Sequence, residues 1–351
     1  GTRLVCLPVH QQDCLRSGHY RGTDKDLTVA AIIPTDEVAT RLAAAQQGDS
    51  GVGGHSPQPN RWSLTTTVVD ELIGFIRNPA ERWYLGFPEI DLATRGIGKG
   101  EVLMVVGRSH TGKSHMLLNS MVTNLVNDPE AHVVIFSMDE PRELVAMKIF
   151  CLLQGRSSTD VEESIKAGDE ATLKAMRDSA KNEMSRIAIV DESLTLDMMA
   201  ETMDEVREWW GCNPSFCMID YLELLPGGES DATGVTSKAQ AVKRWAKTQR
   251  VPIGLVHQAG RGAAQPGYSA GIYAGRYGGE QEAIFVIEVY RKKDRQTLSD
   301  WEKKYHENSI NLNVCKNKRT ARMVDQTYYL DPSCGHIHPY WEELMPGAEP
   351  R

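Results

Sequence analysis

The spacing of hydrophobic positions changes character along this chain. Val69, Leu72, Ile73 and Ile76 fall at i, i+3, i+4 and i+7, which lays one apolar stripe on a helix. Thr67 with Asp70 three residues later has the form of a capping box, and Asn78-Pro79 stops the pattern, so the spacing predicts a helix over 67–77. From residue 99 onward, short apolar runs alternate with helical stripes. The runs predict strands at 101–106, 132–136, 187–190, 215–219, 252–256, 284–289 and 310–314. Most are continuous rather than strictly alternating, as expected where helices cover both faces of a sheet. Between them, Leu118, Met121, Val122 and Leu125, then Met199, Met203, Val206 and Trp210, form stripes whose side chains belong in a core. This alternation predicts an α/β domain with a mostly parallel central sheet.

The first sixty residues follow neither pattern. Residues 29–33 read as a strand and 34–45 as a short helix. Gly48, Gly51, Gly53 and Gly54, with Pro57 and Pro59, then make a linker-like stretch. Cys6, His10, Cys14 and His19 are spaced loosely like zinc ligands but are too few at the right intervals. The expected organisation is an N-terminal segment over 1–46, a linker over 47–64, a linker helix over 65–80, a main domain over 81–340 and a tail over 341–351.

Composition narrows this picture without redirecting it. The chain has 351 residues, 41% hydrophobic and 25% charged, which is the usage of a folded globular protein and excludes wholesale disorder. Its apolar runs are far shorter than the roughly 20 residues of a membrane span, so no membrane association is expected. Seven cysteines without a CxxC pair suit a reducing, cytoplasmic setting. A net charge of −8 argues against a basic coat all over but leaves room for a local basic groove. The chain opens Gly-Thr-Arg rather than with Met and shows no signal-peptide pattern, which reads as a piece of a longer protein.

The chemistry concentrates in a few segments. Gly107-Arg108-Ser109-His110-Thr111-Gly112-Lys113-Ser114 completes the pattern GxxxxGK[ST] between a predicted strand and a predicted helix. Its glycines let the loop wrap a phosphate with backbone N–H groups pointing inward, at a helix N-terminus that favours anions. Lys113 would reach the β- and γ-phosphates of a nucleoside triphosphate, and Ser114 would hold Mg²⁺. Phe216-Cys-Met-Ile-Asp220 is an apolar strand ending in an acid, and Asp220 is the matching Mg²⁺-side carboxylate. Phe136-Ser-Met-Asp-Glu140 offers two adjacent carboxylates, Asp139 and Glu140. Either would serve to activate water if their strand lies beside the loop strand; the alternative is that they satisfy helix N–H groups ahead of Pro141. Gln258 ends another predicted strand and is placed to sense the γ-phosphate. The Gly- and Tyr-rich loop over 260–279, with Arg261 and Arg276, suits a nucleic-acid backbone or an ordinary surface loop equally. Basic clusters follow at Arg291-Lys-Lys-Asp-Arg295 and at Lys316-Asn-Lys-Arg319 with Arg322. Cys334-Gly-His336-Ile-His338 reads as a turn rather than a metal cluster.

In this order the segments resemble the RecA-like ATPase domain of DnaB-type replicative helicases. The likeness covers about residues 65 to 330. It rests on Leu85-Gly-Phe-Pro-Glu-Ile-Asp before the phosphate loop, Phe136-Ser-Met-Asp-Glu-Pro, Ile219-Asp-Tyr-Leu-Glu-Leu224, Val251-Pro with His257-Gln258 and Arg261, and Gly279-Glu-Gln-Glu-Ala283 leading to Tyr290-Arg291. The resemblance implies a RecA-like P-loop fold and a homohexameric ring with ATP and Mg²⁺ at subunit interfaces. Single-stranded DNA would occupy the pore, and duplex would be unwound during DNA replication. It also implies that Lys316 and one of Lys318 or Arg319 act on a neighbour's γ-phosphate, that the helix over 67–77 packs on the adjacent subunit, and that loops at 225–237 and 260–279 touch DNA. A primase or loader is an expected partner. The alternative is a RadA- or KaiC-like ATPase acting in recombination, repair or protein remodelling; a third reading is a ring that binds DNA as a scaffold. Three positions depart from the family pattern: Asp139 stands where Glu is usual, Lys318 stands where Arg is commoner, and the first sixty residues lack likeness to the primase-binding helical domain.

Overall fold

The apolar runs become strands because each can bury both of its faces. A computed structural model describes residues 65–77, 82–227, 231–260, 265–271 and 278–338. The N-terminal strand, helix, linker and Cys/His residues expected above, together with Arg261, Arg276 and the tail, lie outside those residues. The chain runs through α1 (Thr65–Arg77), α2 (Pro88–Thr94), β1 (Val102–Gly107), α3 (Lys113–Asn127), β2 (Val133–Ser137), α4 (Arg142–Gln154), α5 (Ser158–Lys166) and α6 (Glu170–Lys181). It continues through β3 (Ile187–Val190), α7 (Leu196–Trp210), β4 (Phe216–Asp220), α8 (Ala232–Gln249), β5 (Ile253–Gln258) and β6 (Phe285–Tyr290). Last come α9 (Asp300–Tyr305), β7 (Ser309–Asn317), β8 (Val324–Leu330) and β9 (Ile337–His338).

Among the described residues the nine strands form one sheet in the order β3-β2-β4-β5-β1-β6-β7-β8-β9. The strands from β3 to β6 are parallel to their neighbours, and β7 to β9 continue antiparallel. Both faces are covered. Leu103 and Val105 of β1 pack with the α3 stripe of Leu118, Met121, Val122 and Leu125, whereas Val102, Met104 and Val106 pack with Met199, Met203 and Val242 of α7 and α8. Each such side chain contributes about 1.5–3 kcal/mol by leaving water. Val206 and Trp210 are only half-buried at the margin of the second layer.

Four expectations are corrected. β2 does not lie beside β1, because β4 and β5 intervene; its acids reach the site through β4, where Ser137 is in register with Asp220. Helix α1 starts at Thr65 with no acid in its first turn, so Thr67 and Asp70 fall inside it rather than forming its cap. The loop anticipated over 225–237 ends early, because the Asp231 side chain accepts from Gly234 N–H at 2.8 Å and starts α8 at Ala232. Strand β7 runs on to Asn317, past the predicted end at 314, so Lys316 belongs to the sheet itself.

Candidate nucleotide-binding site

The phosphate loop lies at the C-terminal ends of the parallel strands, where open α/β sheets place their ligands. Two of its backbone positions, His110 (φ 62°) and Gly112 (φ 101°), adopt the left-handed conformation that bends the loop back on itself. A side chain at Gly107 would meet the Val289 carbonyl and Thr111 Oγ1, so only glycine fits there. Thr111 is buried and donates to the Arg108 carbonyl at 2.9 Å, fixing the turn. Helix α3 begins at Gly112 with no side-chain cap and no acid in its first turn. Its first N–H groups and its dipole therefore face the loop without competition. Lys113 Nζ donates to the Arg108 carbonyl at 2.9 Å. Burial lowers its pKa, opposed by Asp220, Glu223 and Asp139.

A cavity of about 520 Å³ opens over this loop, walled by Ser109, Lys113, Ser114, Asp139, Glu140, Lys148, Asp220 and Gln258 among others. The structure thus brings together Lys113, Ser114, Asp139, Glu140, Asp220 and Gln258, which the sequence holds far apart. Asp220 is 6% exposed and hydrogen-bonded to the Ser114 side chain. Burial pushes its pKa up to about 6, Ser114 and Lys113 oppose that rise, and Glu140 and Asp139 add to it.

The two neighbouring acids have different surroundings. Asp139 is exposed at the cavity, whereas both carboxylate oxygens of Glu140 lie 2.5 Å from Lys148 Nζ on α4. Neither acid caps α4, because Asp191 Oδ2 accepts from the Arg142 N–H at 3.0 Å. Gln258 stands in register with Gly107, and its Nε2 donates to Ser109 Oγ at 2.5 Å. The Gln258 N–H donates to Glu223 Oε1 at 3.0 Å, and the Glu223 carbonyl accepts from Lys238 of α8 at 3.0 Å. Sequence reasoning assigned no role to Lys148, Glu223 or His257, which is buried with Nδ1 3.1 Å from Glu223 Oε1. Spacing gave no signal for Lys148: Glu140 stands eight residues before it and outside α4, beyond the i,i+3 and i,i+4 spacings at which helical neighbours meet.

The basic segment at the end of β7 lies far from this cavity. Lys318 N–H donates to the Ile284 carbonyl, and Ile284 N–H donates to the Val102 carbonyl, so Lys318 sits level with the start of β1. That is about 16 Å along the strand from Gly107. Lys316 is buried, donates to the Glu280 carbonyl at 2.7 Å, and has its pKa lowered to about 8, first by burial and then by Lys318. Arg319 is held by the Thr94 and Gly96 carbonyls and by an ion pair with Glu101. Lys318 is exposed, 3.3 Å from the Gln281 carbonyl. Cys334 and His336 lie in a turn whose Gly335 carbonyl meets His115 Nε2 at 2.5 Å. Among the described residues, no cluster of three or more His, Cys, Asp or Glu is placed to hold a metal ion, and no helix is long and apolar enough to cross a membrane.

Comparison with known proteins bears on the family and the fold. The model of the DnaB-like helicase C-terminal domain matches residues 84–329. A replicative DNA helicase DnaB from Nostoc sp. (strain PCC 7120 / SAG 25.82 / UTEX 2576) is 24% identical over 242 residues, which is 64% of this chain and 26% of that protein. Another replicative DNA helicase DnaB, from Leifsonia xyli subsp. xyli, is 26% identical over 189 residues, which is 51% of this chain and 39% of that protein. The fold matches a solved DnaB-like replicative helicase studied for its interactions with primase (TM-score 0.61, 16% identity, 87% of this chain and 72% of that one). It also matches a solved ATPase domain (TM-score 0.66, 15% identity, 79% of this chain and 99% of that one). The chain spans less than half the length of the curated relatives it matches. With the family model covering well over half of its residues, the chain belongs to the DnaB-like helicase C-terminal domain family.

Proposed function

We propose that this chain is the motor part of a replicative DNA helicase, a hexameric ring that hydrolyses ATP at its subunit interfaces to move along single-stranded DNA and unwind duplex. The observation that carries the reading is the separation along one sheet: the nucleotide cavity is at one end of β1, and the Lys316–Arg319 cations are at the other. A lysine cannot reach across that distance to its own phosphate loop, and the exposed member of the group, Lys318, is the one offered to a neighbouring copy.

Within one subunit, Lys113 swings from the Arg108 carbonyl to the β- and γ-phosphates, and the N–H groups of the loop and α3 take the remaining oxygens. The hydroxyl of Ser114 and the carboxylate of Asp220 are hard oxygen donors beside the phosphate cradle, and they fit Mg²⁺. Bound there, the ion would neutralise charge on the phosphate oxygens. Asp139 orients and deprotonates the attacking water, since Glu140 is occupied by Lys148. Gln258 links the loop to Glu223 and so to α8 and the segment following β4. Lys318 is the cation offered to the neighbour, with Lys316 buried behind it and Arg319 held in its own subunit.

The exposed stripe of α1 (Val69, Leu72, Ile73 and Ile76) docks on an adjacent subunit. The domain limits are those read from the sequence, the DNA-touching loops follow β4 and β5, and the working compartment is the cytoplasm. A primase or loader is the proposed protein partner, in keeping with the solved DnaB-like helicase studied with primase. The family match does not favour a RadA- or KaiC-like role.

A forked-duplex assay tests this reading. The wild-type chain with ATP releases the strand and Lys113→Ala does not; robust ATP hydrolysis without strand release at any salt concentration would defeat it. Stimulation of hydrolysis by single-stranded DNA, falling steeply with salt, is expected alongside.

A further inference from the structure

The connection between β6 and β7 carries features that the ATPase cycle does not use. Helix α9 is short but well fixed: Ser299 and Glu302 form a reciprocal capping box. On it, Trp301 and Tyr305 stand one turn apart with rings stacked at 5.2 Å and 14°. Trp301 is 71% exposed, a large aromatic surface held rigid and facing water. Six basic residues (Arg291, Lys292, Lys293, Arg295, Lys303 and Lys304) lie in residues 291–308 against four acids, in a chain of net charge −8. One of those acids, Glu302, is turned into the cap, its Oε2 accepting from the Ser299 N–H and hydroxyl.

This connection is also joined to the segment that follows β5. Arg295 lies over the Tyr268 ring at 4.4 Å, and its Nε donates to the Gly267 carbonyl at 2.9 Å. Tyr268 Oη is 3.0 Å from Thr297 Oγ1. The same segment is pinned from below, where Glu288 accepts from the Ala270 and Gly271 N–H groups at 2.8 and 3.0 Å. Tyr268, Arg295, Trp301 and Tyr305 are thus carried on one braced unit, with Lys303 and Lys304 exposed beside the aromatic pair.

We propose that Trp301 and Tyr305 form a base-stacking platform that, with Lys303 and Lys304, binds single-stranded DNA in continuity with the Tyr268 segment. The proposal rests on the helicase reading for the presence of DNA, but not on any catalytic assignment. A rigid, pre-stacked aromatic pair suits bases without regard to sequence, and the flanking ammonium groups suit the phosphates between them. Lys303 and Lys304, exposed between Trp301 and Tyr305 on the same helix, favour a polyanion over a purely apolar partner, with Asp300 and Glu307 exposed at the two ends of that stretch.

The test is binding of a fluorescein-labelled oligo(dT) to the full chain by anisotropy, with a non-hydrolysable ATP analogue present. Trp301→Ala is expected to weaken binding about five- to tenfold or more, as loss of one stacking partner does. Trp301→Phe, which keeps a stacking ring, is expected to stay within about threefold. The Ala variant keeps the wild-type salt slope, while Lys303→Ala with Lys304→Ala lowers it by about one to two. Circular dichroism checks that each variant is folded, and mass photometry follows assembly. Wild-type binding with Trp301→Ala unchanged would overturn the platform and leave the helicase reading standing. Loss of assembly in Trp301→Ala would assign the face to a second copy and overturn the platform. Failure of the wild-type chain itself to bind oligo(dT) would overturn both.

Discussion

Two cavities lie at opposite ends of the sheet, and the larger is the less equipped. The lower one, about 640 Å³, is lined by Arg82, Lys99, Asp204, Arg207 and Gln249 among others. Two of its three guanidiniums are committed: Arg207 reaches Asp204 at 2.6 Å, Asn213 at 3.0 Å and the Gln249 carbonyl at 3.0 Å, while Arg82 donates to the Phe75 and Arg95 carbonyls; the third, Arg250, is exposed. The upper cavity, about 520 Å³, keeps Asp139 exposed, Asp220 buried at a cost, and a bare helix N-terminus. Volume does not distinguish a working site from a crevice. Carboxylates gathered beside a bare helix N-terminus do.

Breaking that contrast at the upper end has the largest effect. Asp139→Asn is expected to lower kcat for ATP by about a hundredfold or more, as removal of a general base does, and Glu140→Gln by less than about tenfold. The reverse ranking in steady-state hydrolysis would make Glu140 the base and Lys148 its restraint. Next come the neighbouring cations at the lower end. Arg319→Ala orphans half-buried Glu101 and the carbonyls it caps, and is expected to cost about 2–4 kcal/mol in urea unfolding. Lys318→Ala is expected to leave stability within about 0.5 kcal/mol while lowering hydrolysis if copies assemble as proposed. Equal destabilisation by both would erase the distinction between structural and offered cations.

The smallest effect sharpens the comparison through pH. Folding raises the Asp220 pKa from its ordinary value of 3.8 to about 6, so the folded chain holds a proton that the unfolded chain has lost between those pH values. Stability from this group is therefore present at low pH and declines as pH rises through 6. Asp220→Asn should raise stability of the nucleotide-free chain by about 1–3 kcal/mol at pH 7.5, with the advantage vanishing towards pH 4. Thermal melts at both pH values check it.

Much of the upper end was legible from short stretches of sequence, because a loop such as 107–114 must carry its own glycines, lysine and hydroxyl in order. The parallel strands were legible because burial on both faces demands unbroken apolar runs. Strand β8 (Val324–Leu330) was not, since its run of Val-Asp-Gln-Thr-Tyr-Tyr-Leu is mostly half-exposed near the sheet edge and mixes polar with apolar positions. The Glu140–Lys148 pair and the burial of Arg319 were also unreadable. The pair depends on how a helix returns over its own strand, and Arg319 on residues more than two hundred positions away, Thr94, Gly96 and Glu101.

One contact of α1 has a mechanical side. The Phe75 ring lies 3.9 Å from the Arg82 guanidinium and 5.5 Å from that of Arg319, and Arg82 also donates to the Phe75 carbonyl. The helix is fastened in its last turns, while Val69, Leu72, Ile73 and Ile76 face outward. If a neighbouring copy grips the outward face, as proposed, the load passes through Phe75 to Arg82 and Arg319, one residue from Lys318.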